Sequence, residues 1–406
     1  MDARSHQLAD TFDLEHLTAE FYDNPYPTYR ALRETQPVKR MRNGSYFLTR
    51  YDDLVTAYKN TAAYSSDKRK EFAPKYGDTP LYEHHTTSLV FNDPPSHTRV
   101  RRLIMGALSP RAISAMEGDL VRLVDMLLDR IAAKGKFELI EDFAAAIPVE
   151  VIGNLLDVPR DERAPLRHWS LAILGALEPV VGADAAARGN KAVSDFLLYL
   201  ETLVARRRAR PGDPARDVLT RLIQGEENGE RLSEKELLHN CIFLLNAGHE
   251  TTTNLIGNGL VTLLLCPEQK QRLIEHPGLI RTAVEEMLRY ESSNQLGNRM
   301  TIEPVEICGI PMPAGTPVTL CIGAANCDPA QFPDPETFDI GRTPNRHLAF
   351  ASGPHQCAGM ALARLEGAVA ISRFLQRFPR YEFDGEPVRG GRVRFRGFLS
   401  VPCRIG

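Results

Sequence analysis

Seven cysteines occur in this chain of 406 residues, and one stands in unusual company. Cys357 lies in FASGPHQCAG (350–359), where glycines and a proline make a tight loop, and a helical run, MALARLEGAVAISRFLQRF, follows at once. A sulfur at the mouth of a helix meets free backbone N–H groups and the positive end of the helix dipole, and both favour thiolate over thiol. Such a thiolate is either a nucleophile or a soft metal ligand. His355, two residues away, is the base a nucleophile would need. A flat loop that leaves sulfur bare on one side suits a large planar metal ligand instead. A structural cysteine buried in a helix cap is the third reading.

Haem iron held by thiolate is the known case of the planar-ligand arrangement, with sulfur pushing electron density toward O–O cleavage. A second group bears on it. LLNAGHETTTN (244–254) sets Gly248, His249, Glu250 and Thr251 into a run that is apolar on nearly all sides, behind a capping box of Ser233 and Glu236. Thr251 can return its hydroxyl to the carbonyl of Ala247 and loosen the helix there. With Gly248 removing bulk, the two open a groove one small molecule wide. The alternative is a helix kink with Glu250 salt-bridged elsewhere. A third group is EEMLR, where Glu286 and Arg289 share a helix face.

The elements that position these groups are legible in outline. The pattern is helical over about 60–298 and 357–378, with extended pieces at about 36–60, 299–350 and 380–406. Proline and glycine mark the breaks. Asn43-Gly44 predicts a type I′ hairpin, and GGRVRFRGFLSVPCRI alternates like strands. Extended pieces contributed from both ends predict one intertwined unit, mainly α with a smaller β-rich portion, over 1–406. The formal net charge of −3 provides no field to recruit nucleic acid. The N-terminus shows no secretory pattern, and 251–267 is too polar and short for a membrane span, so a cytoplasmic protein is expected. The odd cysteine count and the lack of a CxxC pair speak against a disulfide framework or zinc ribbon.

Taken together, FASGPHQCAG, AGHETTTN, EEMLRYESS, DPPSHTRVRRL and AANCDPAQFPDPETFDIGR resemble the cytochrome P450 family, in family order and in the style of its soluble bacterial members. The resemblance implies the cytochrome P450 fold, with heme b (iron protoporphyrin IX) between the long central helix and the cysteine loop. Cys357 becomes the iron ligand, which demotes His355 from base. Phe350 packs near the sulfur, and Ala247, Gly248 and Gly359 lie along the haem. His97, Arg101, Arg299 and His355 hold its propionates. Thr251 hydrogen-bonds dioxygen and an ordered water, and Glu250 relays protons from solvent. Glu286 and Arg289, with Arg342, lock the meander FPDPETFDIGRTPNRHLAF beneath the haem.

The implied activity is insertion of one oxygen atom from O2 into a C–H bond of a small, mostly apolar substrate. Electrons come from NAD(P)H through a reductase and a ferredoxin or flavodoxin, received at Arg102, Arg111 and Arg364 on a monomer. A peroxide-driven fatty-acid or acyl-chain hydroxylase and a non-catalytic haem-binding protein are the rivals. A nucleophilic cysteine enzyme stands further off. Three departures from the family pattern stand out: Ala351 replaces a usual glycine, Cys327 a usual arginine, and Ser293-Asn294 a usual proline-valine beside the substrate pocket. The variable segment 64–92 carries Arg69, Lys70 and Lys75, which offer themselves to a substrate carboxylate.

Overall fold

The computed structural model describes residues 3–214, 217–225 and 231–406. Its axis is one helix, Glu234–Leu265. The capping box forms as the sequence predicts: Ser233 Oγ accepts from the N–H of Glu236, and the Glu236 carboxylate accepts from the N–H of Ser233. Leu237, Ile242, Leu255, Ile256 and Leu260 are buried on different sides of it, so the helix runs through the largest apolar core rather than over it. Burial of nearly every face explains why no single apolar stripe shows in its sequence.

Among the described residues, twelve short strands accompany the helices. They are β1 (Val38–Arg40), β2 (Tyr46–Leu48), β3 (Tyr64–Ser65), β4 (Lys136–Glu138), β5 (Leu296–Thr301) and β6 (Val305–Ile307), then β7 (Ile310–Met312), β8 (Pro317–Cys321), β9 (Glu382–Phe383), β10 (Val388–Arg389), β11 (Phe398–Ser400) and β12 (Pro402–Arg404). The main sheet has the order β1-β2-β8-β5-β3. β2 and β8 pair in parallel, Phe47 opposite Thr319, although their sequence positions are far apart. β12 lies between β4 and β9, so the C-terminal end of the chain is stitched to a strand in the middle of the helical body.

The sequence reading needs correction at several places. Tyr51–Lys59 is a helix inside the stretch read as extended, while β3 and β4 fall inside the stretch read as helical. The hairpin β1–β2 forms, but not through a type I′ turn. Gly44 N–H bonds the carbonyl of Met41, and only Gly44 takes a positive φ, +83°. That geometry is an ordinary turn closed by a left-handed glycine, which adds residues to the loop. In the last extended piece, 390–397 forms only an isolated bridge between Asn294 and Phe395. Its arginines are used otherwise, as described below.

The meander at 326–350 is fixed by charge. Glu286 and Arg289, on the helix Ile280–Tyr290, are both fully buried. Arg289 Nε and Nη2 each reach a Glu286 oxygen at 2.8 Å. Arg342 Nε lies 3.1 and 3.2 Å from the same carboxylate, Asn345 Nδ2 at 3.0 Å and the N–H of Asp339 at 3.0 Å. Arg289 spends its remaining donors on the carbonyls of Asn326, Pro335 and Thr337. A buried ion pair is tolerable only when its remaining donors and lone pairs are satisfied, and here the meander backbone satisfies them.

Candidate functional site

The cysteine loop is closed by its own backbone. The N–H of Cys357 bonds the carbonyl of Phe350 at 2.9 Å, and the N–H of Ala351 bonds Leu348 at 2.8 Å. Gly353 is forced twice over. Its φ is +69°, and a Cβ there would lie 2.5 Å from the Tyr58 carbonyl oxygen. Ala351 also sits in the left-handed region, at φ +55°. The missing glycine therefore costs backbone strain. Cys357 stands ahead of the helix Met360–Arg377, whose N-cap is Gly359, and not in its first turn. Its side chain is exposed. The surrounding protein mass pushes the thiol up, while the N–H of Gly359 and the charges of Arg101 and Arg364 pull it down. Desolvation outweighs the helix-end effect expected from sequence. Gly359 has no neighbour within 4 Å of where a Cβ would stand, so packing within the protein does not explain this glycine.

Beside the loop His97, His355 and Arg299 come together. His97 and His355 stack with ring centroids 3.8 Å apart. Both nitrogens of His97, Nε2 of His355 and Nη2 of Arg299 are buried with no partner among the described residues. Burial first, then neighbouring arginines, depresses both histidines, His97 to about 4 and His355 to about 2. They are neutral N–H donors at ordinary pH. Arg299 lies over the Tyr58 ring at 5.0 Å and gives Nη1 to the Asn298 carbonyl. Orphaned buried donors are costly, and three side chains sharing that fault in one place point to an anionic ligand that relieves it. Arg101 differs: it gives Nη2 to the Gln356 carbonyl at 2.6 Å, bracing the cysteine loop.

The central helix keeps its α-helical hydrogen bonding through the motif. Thr251 Oγ1 donates to the Ala247 carbonyl at 2.6 Å, as its spacing predicts. The buried surface of the helix is interrupted at Phe243, Leu244, Ala247 and Thr251, which share one face. Gly248 contributes differently from the expected groove. A Cβ there would meet Ile152 Cδ1 at 2.3 Å, so this glycine admits the neighbouring helix Ala146–Leu155. Glu250 is buried and held by Arg392, whose Nη1 lies 2.6 and 2.7 Å from its two oxygens. The salt bridge is thus real, and it coexists with the open strip. Burial pushes Glu250 up to about 7, against the pull of Arg392.

Arg392 escapes a sequence reading, along with two companions. In 390–397 the alternation Arg392, Arg394, Arg396 looks like the wet face of a strand, yet each side chain enters a different wall. Arg392 takes Glu250. Arg394 takes the carbonyls of Leu177 and Leu296 and Oδ1 of Asn298. Arg396 takes Glu291 at 2.6 Å and the carbonyls of Tyr22 and Asp23. The doublet Glu285-Glu286 is similarly divided. Glu285 holds Arg364 at 2.6 and 2.8 Å and His347 at 3.2 Å. Burial would raise the Glu285 carboxyl, but bonds from Arg364 and His347 hold it at about 2. Arg364 also covers the buried Phe350 ring at 4.7 Å. It is therefore a brace for the cysteine loop, whereas Arg102 and Arg111 are exposed.

Of the departures, Cys327 is buried near Arg289 and Arg33, and burial pushes its thiol up to about 11. Arg33, itself buried, gives Nη1 to the Ala324 carbonyl at 3.0 Å. Ser293 Oγ and Asn294 Oδ1 are buried without partners among the described residues. All seven cysteines are free.

A thiol on a strained loop, buried donors of His97, His355 and Arg299 without partners among the described residues, and an acid–alcohol pair on a central helix define a haem-thiolate oxygenase in outline. The Cytochrome P450 family model matches residues 181–387. A biotin biosynthesis cytochrome P450 of Bacillus subtilis is 39% identical over 95% of this chain and 97% of that protein. A vitamin D(3) 25-hydroxylase of Pseudonocardia autotrophica is 37% identical over 95% of each. The crystal structure of P450BioI in complex with hexadec-9Z-enoic acid ligated acyl carrier protein superposes with a TM-score of 0.90, at 35% identity, covering 96% of this chain and all of that one. The chain belongs to the cytochrome P450 family and is a monooxygenase of the bacterial kind. Its cofactor is heme, and the orphaned donors and bare loop fit that group. No helix among the described residues is long and apolar enough to cross a membrane.

Proposed function

We propose that this chain inserts one oxygen atom from O2 into a C–H bond of a small, mostly apolar substrate, with Cys357 as iron ligand and electrons from NAD(P)H through a reductase and a ferredoxin or flavodoxin. A cytoplasmic location belongs to the same reading. His97, Arg299 and His355 hold the haem propionates, their N–H groups meeting carboxylates in charge-assisted bonds. Phe350 and Arg364 pack the thiolate side, and Arg101 secures the loop. Bound haem supplies the activation of dioxygen and the oxidation of the C–H bond. The chain supplies the protons and the place.

The observation that carries this reading is the pairing of Glu250 with Thr251. A carboxylate on the residue next to an accessible hydroxyl, poised at about 7, can both release and recover a proton at working pH. Arg392 is 22% exposed and links that carboxylate to the surface. Thr251 parks its own hydrogen on Ala247, which leaves the hydroxyl oxygen free to accept. A peroxide-driven hydroxylase has no use for this pair.

Reconstitution with a ferredoxin system tests it. Thr251→Ala and Glu250→Gln should keep consuming NAD(P)H but divert it to hydrogen peroxide, with product falling by about 10²-fold or more. Undiminished product from both variants would reject the relay. Arg392→Gln removes an influence that lowers Glu250, so the rate limb near pH 7 should move to higher pH; an unmoved limb would separate Glu250 from the rate.

A further inference from the structure

One region carries charge that the proposed reaction does not use. A cleft of about 270 Å³ lies against β5 and the helix Arg69–Tyr76. Its walls include Phe72, Phe91 and Leu296, and Lys68, Lys75 and Arg394 line it together. The acids of the same lining are Glu71, Asp13 and Glu15, with Arg42 near the last two. Asp13 is engaged by His16 and Arg42.

Of the three cations, Lys68 is ion-paired with Glu71, while Lys75 and Arg394 are held by neutral oxygens. Arg394 is fixed by two carbonyls and an amide oxygen. Lys75 Nζ donates to the Glu178 backbone carbonyl at 2.9 Å. The Glu178 carboxylate itself accepts from the backbone N–H groups of Val393 and Arg394. Lys68 is 2% exposed, and its hydrogen bond to Glu71 uses one of three ammonium hydrogens. Burying an ammonium with hydrogens to spare is expensive, and the direct hydrogen-bond partners of the other two cations are neutral, with the Glu71 and Glu178 carboxylates acting on them from further off. Three cations thus face two carboxylates, which leaves one positive charge in surplus in a slot of mixed polar and apolar walls. The slot is next door to the haem clamp: Leu296 and Asn298 of β5 line it, while Arg299, the next residue on the strand, points to the other face.

We propose that this cleft seats the carboxylate of an acyl-chain substrate, with Lys68, Lys75 and Arg394 as counter-charge. The apolar walls at Phe72 and Phe91 then start the chain toward the open strip of the central helix. The inference rests on the monooxygenase reading and narrows its substrate. Arg69, which the sequence offered for this role, is spent on Asp67, Asn92 and the Thr86 carbonyl.

The test is optical titration of the ferric holoenzyme with tetradecanoate, its methyl ester and tetradecylamine. The acid should bind about 10-fold or more tighter than the ester, the value of one charge-assisted contact. Lys75→Glu, at an exposed site, and separately Lys68→Met should bring that ratio toward one. Should Lys68→Met not fold, Lys75→Glu alone decides. With longer acids, the oxidised carbon should stay at a constant count from the carboxylate. Equal binding of acid and ester, preference for the amine, or an unchanged ratio in Lys75→Glu would overturn the carboxylate seat while leaving the haem-thiolate reading intact. A wild-type protein without the red-shifted carbonmonoxy band would overturn both.

Discussion

The two sides of the haem site are built on opposite rules. Beneath it, around Glu286 and Glu285, every charge has its partner. Arg289, Arg342 and Asn345 converge on one carboxylate, and Arg364 and His347 converge on its neighbour. On the other side, His97, His355, Arg299, Ser293 and Asn294 keep buried polar atoms without partners among the described residues. Satisfied groups hold the loop that presents sulfur; in the proposed reading the unsatisfied ones bind ligands. Stability and binding are thus assigned to different residues, and substitutions should separate them.

The largest effect should come from breaking the satisfied side. Glu286→Ala strands Arg289 in the core, and the loss should be roughly 3–5 kcal/mol in denaturant unfolding. A loss under about 1 kcal/mol would mean the network is ornamental.

Besides Oδ1 of Asn345, Glu366 is an exception on that side, and it sharpens the contrast. It is buried on the helix after the cysteine loop, its Oε2 has no partner, and burial raises it from 4.5 to about 8. Between those values the folded protein holds a proton that the unfolded chain releases. Stability should therefore fall as pH rises through that window, by up to about 1.4 kcal/mol per unit. Glu366→Gln should flatten this dependence in pH-resolved melting curves and be the more stable protein at pH 7. An identical slope in the variant would show that Glu366 is already ionised in the fold.

On the open side the expectation inverts. His97→Phe removes two orphaned ring nitrogens, and Arg299→Leu exchanges one orphaned Nη2 against one carbonyl bond, so haem-free stability should change by less than about 1 kcal/mol. Haem transfer to apomyoglobin should nevertheless quicken by about 10-fold, matching one lost charge-assisted bond. If stability falls and haem retention does not, the clamp is structural.

The smallest effect is at Ala351. Ala351→Gly relieves a left-handed alanine but frees the unfolded chain, so the gain should lie between zero and about 1 kcal/mol. A measurable loss would mean the alanine methyl is making a contact of value.

The motifs were legible because each joins residues close in sequence. Thr251 and Ala247 are one helical turn apart, Ser233 and Glu236 close a capping box, and Glu286 and Arg289 share a face. What stayed hidden depends on distant chain. Nothing near Gly248 announces Ile152, and nothing near Glu250 announces Arg392. Burial decided the rest. Helix-end chemistry alone favours a thiolate at Cys357, but the surrounding protein mass reverses that preference in the folded chain. Boundaries failed where strands are two or three residues long, since β3 and β4 offer no room for an alternating pattern to show.

The stretch 390–397 works as a tie rod. It has almost no ladder of its own, and three guanidinium groups at alternate positions anchor it to the central helix, the main sheet and the N-terminal segment. Arg392 and Arg394 stand two residues apart on it, one holding Glu250 and the other lining the cleft, so a single segment spans both places.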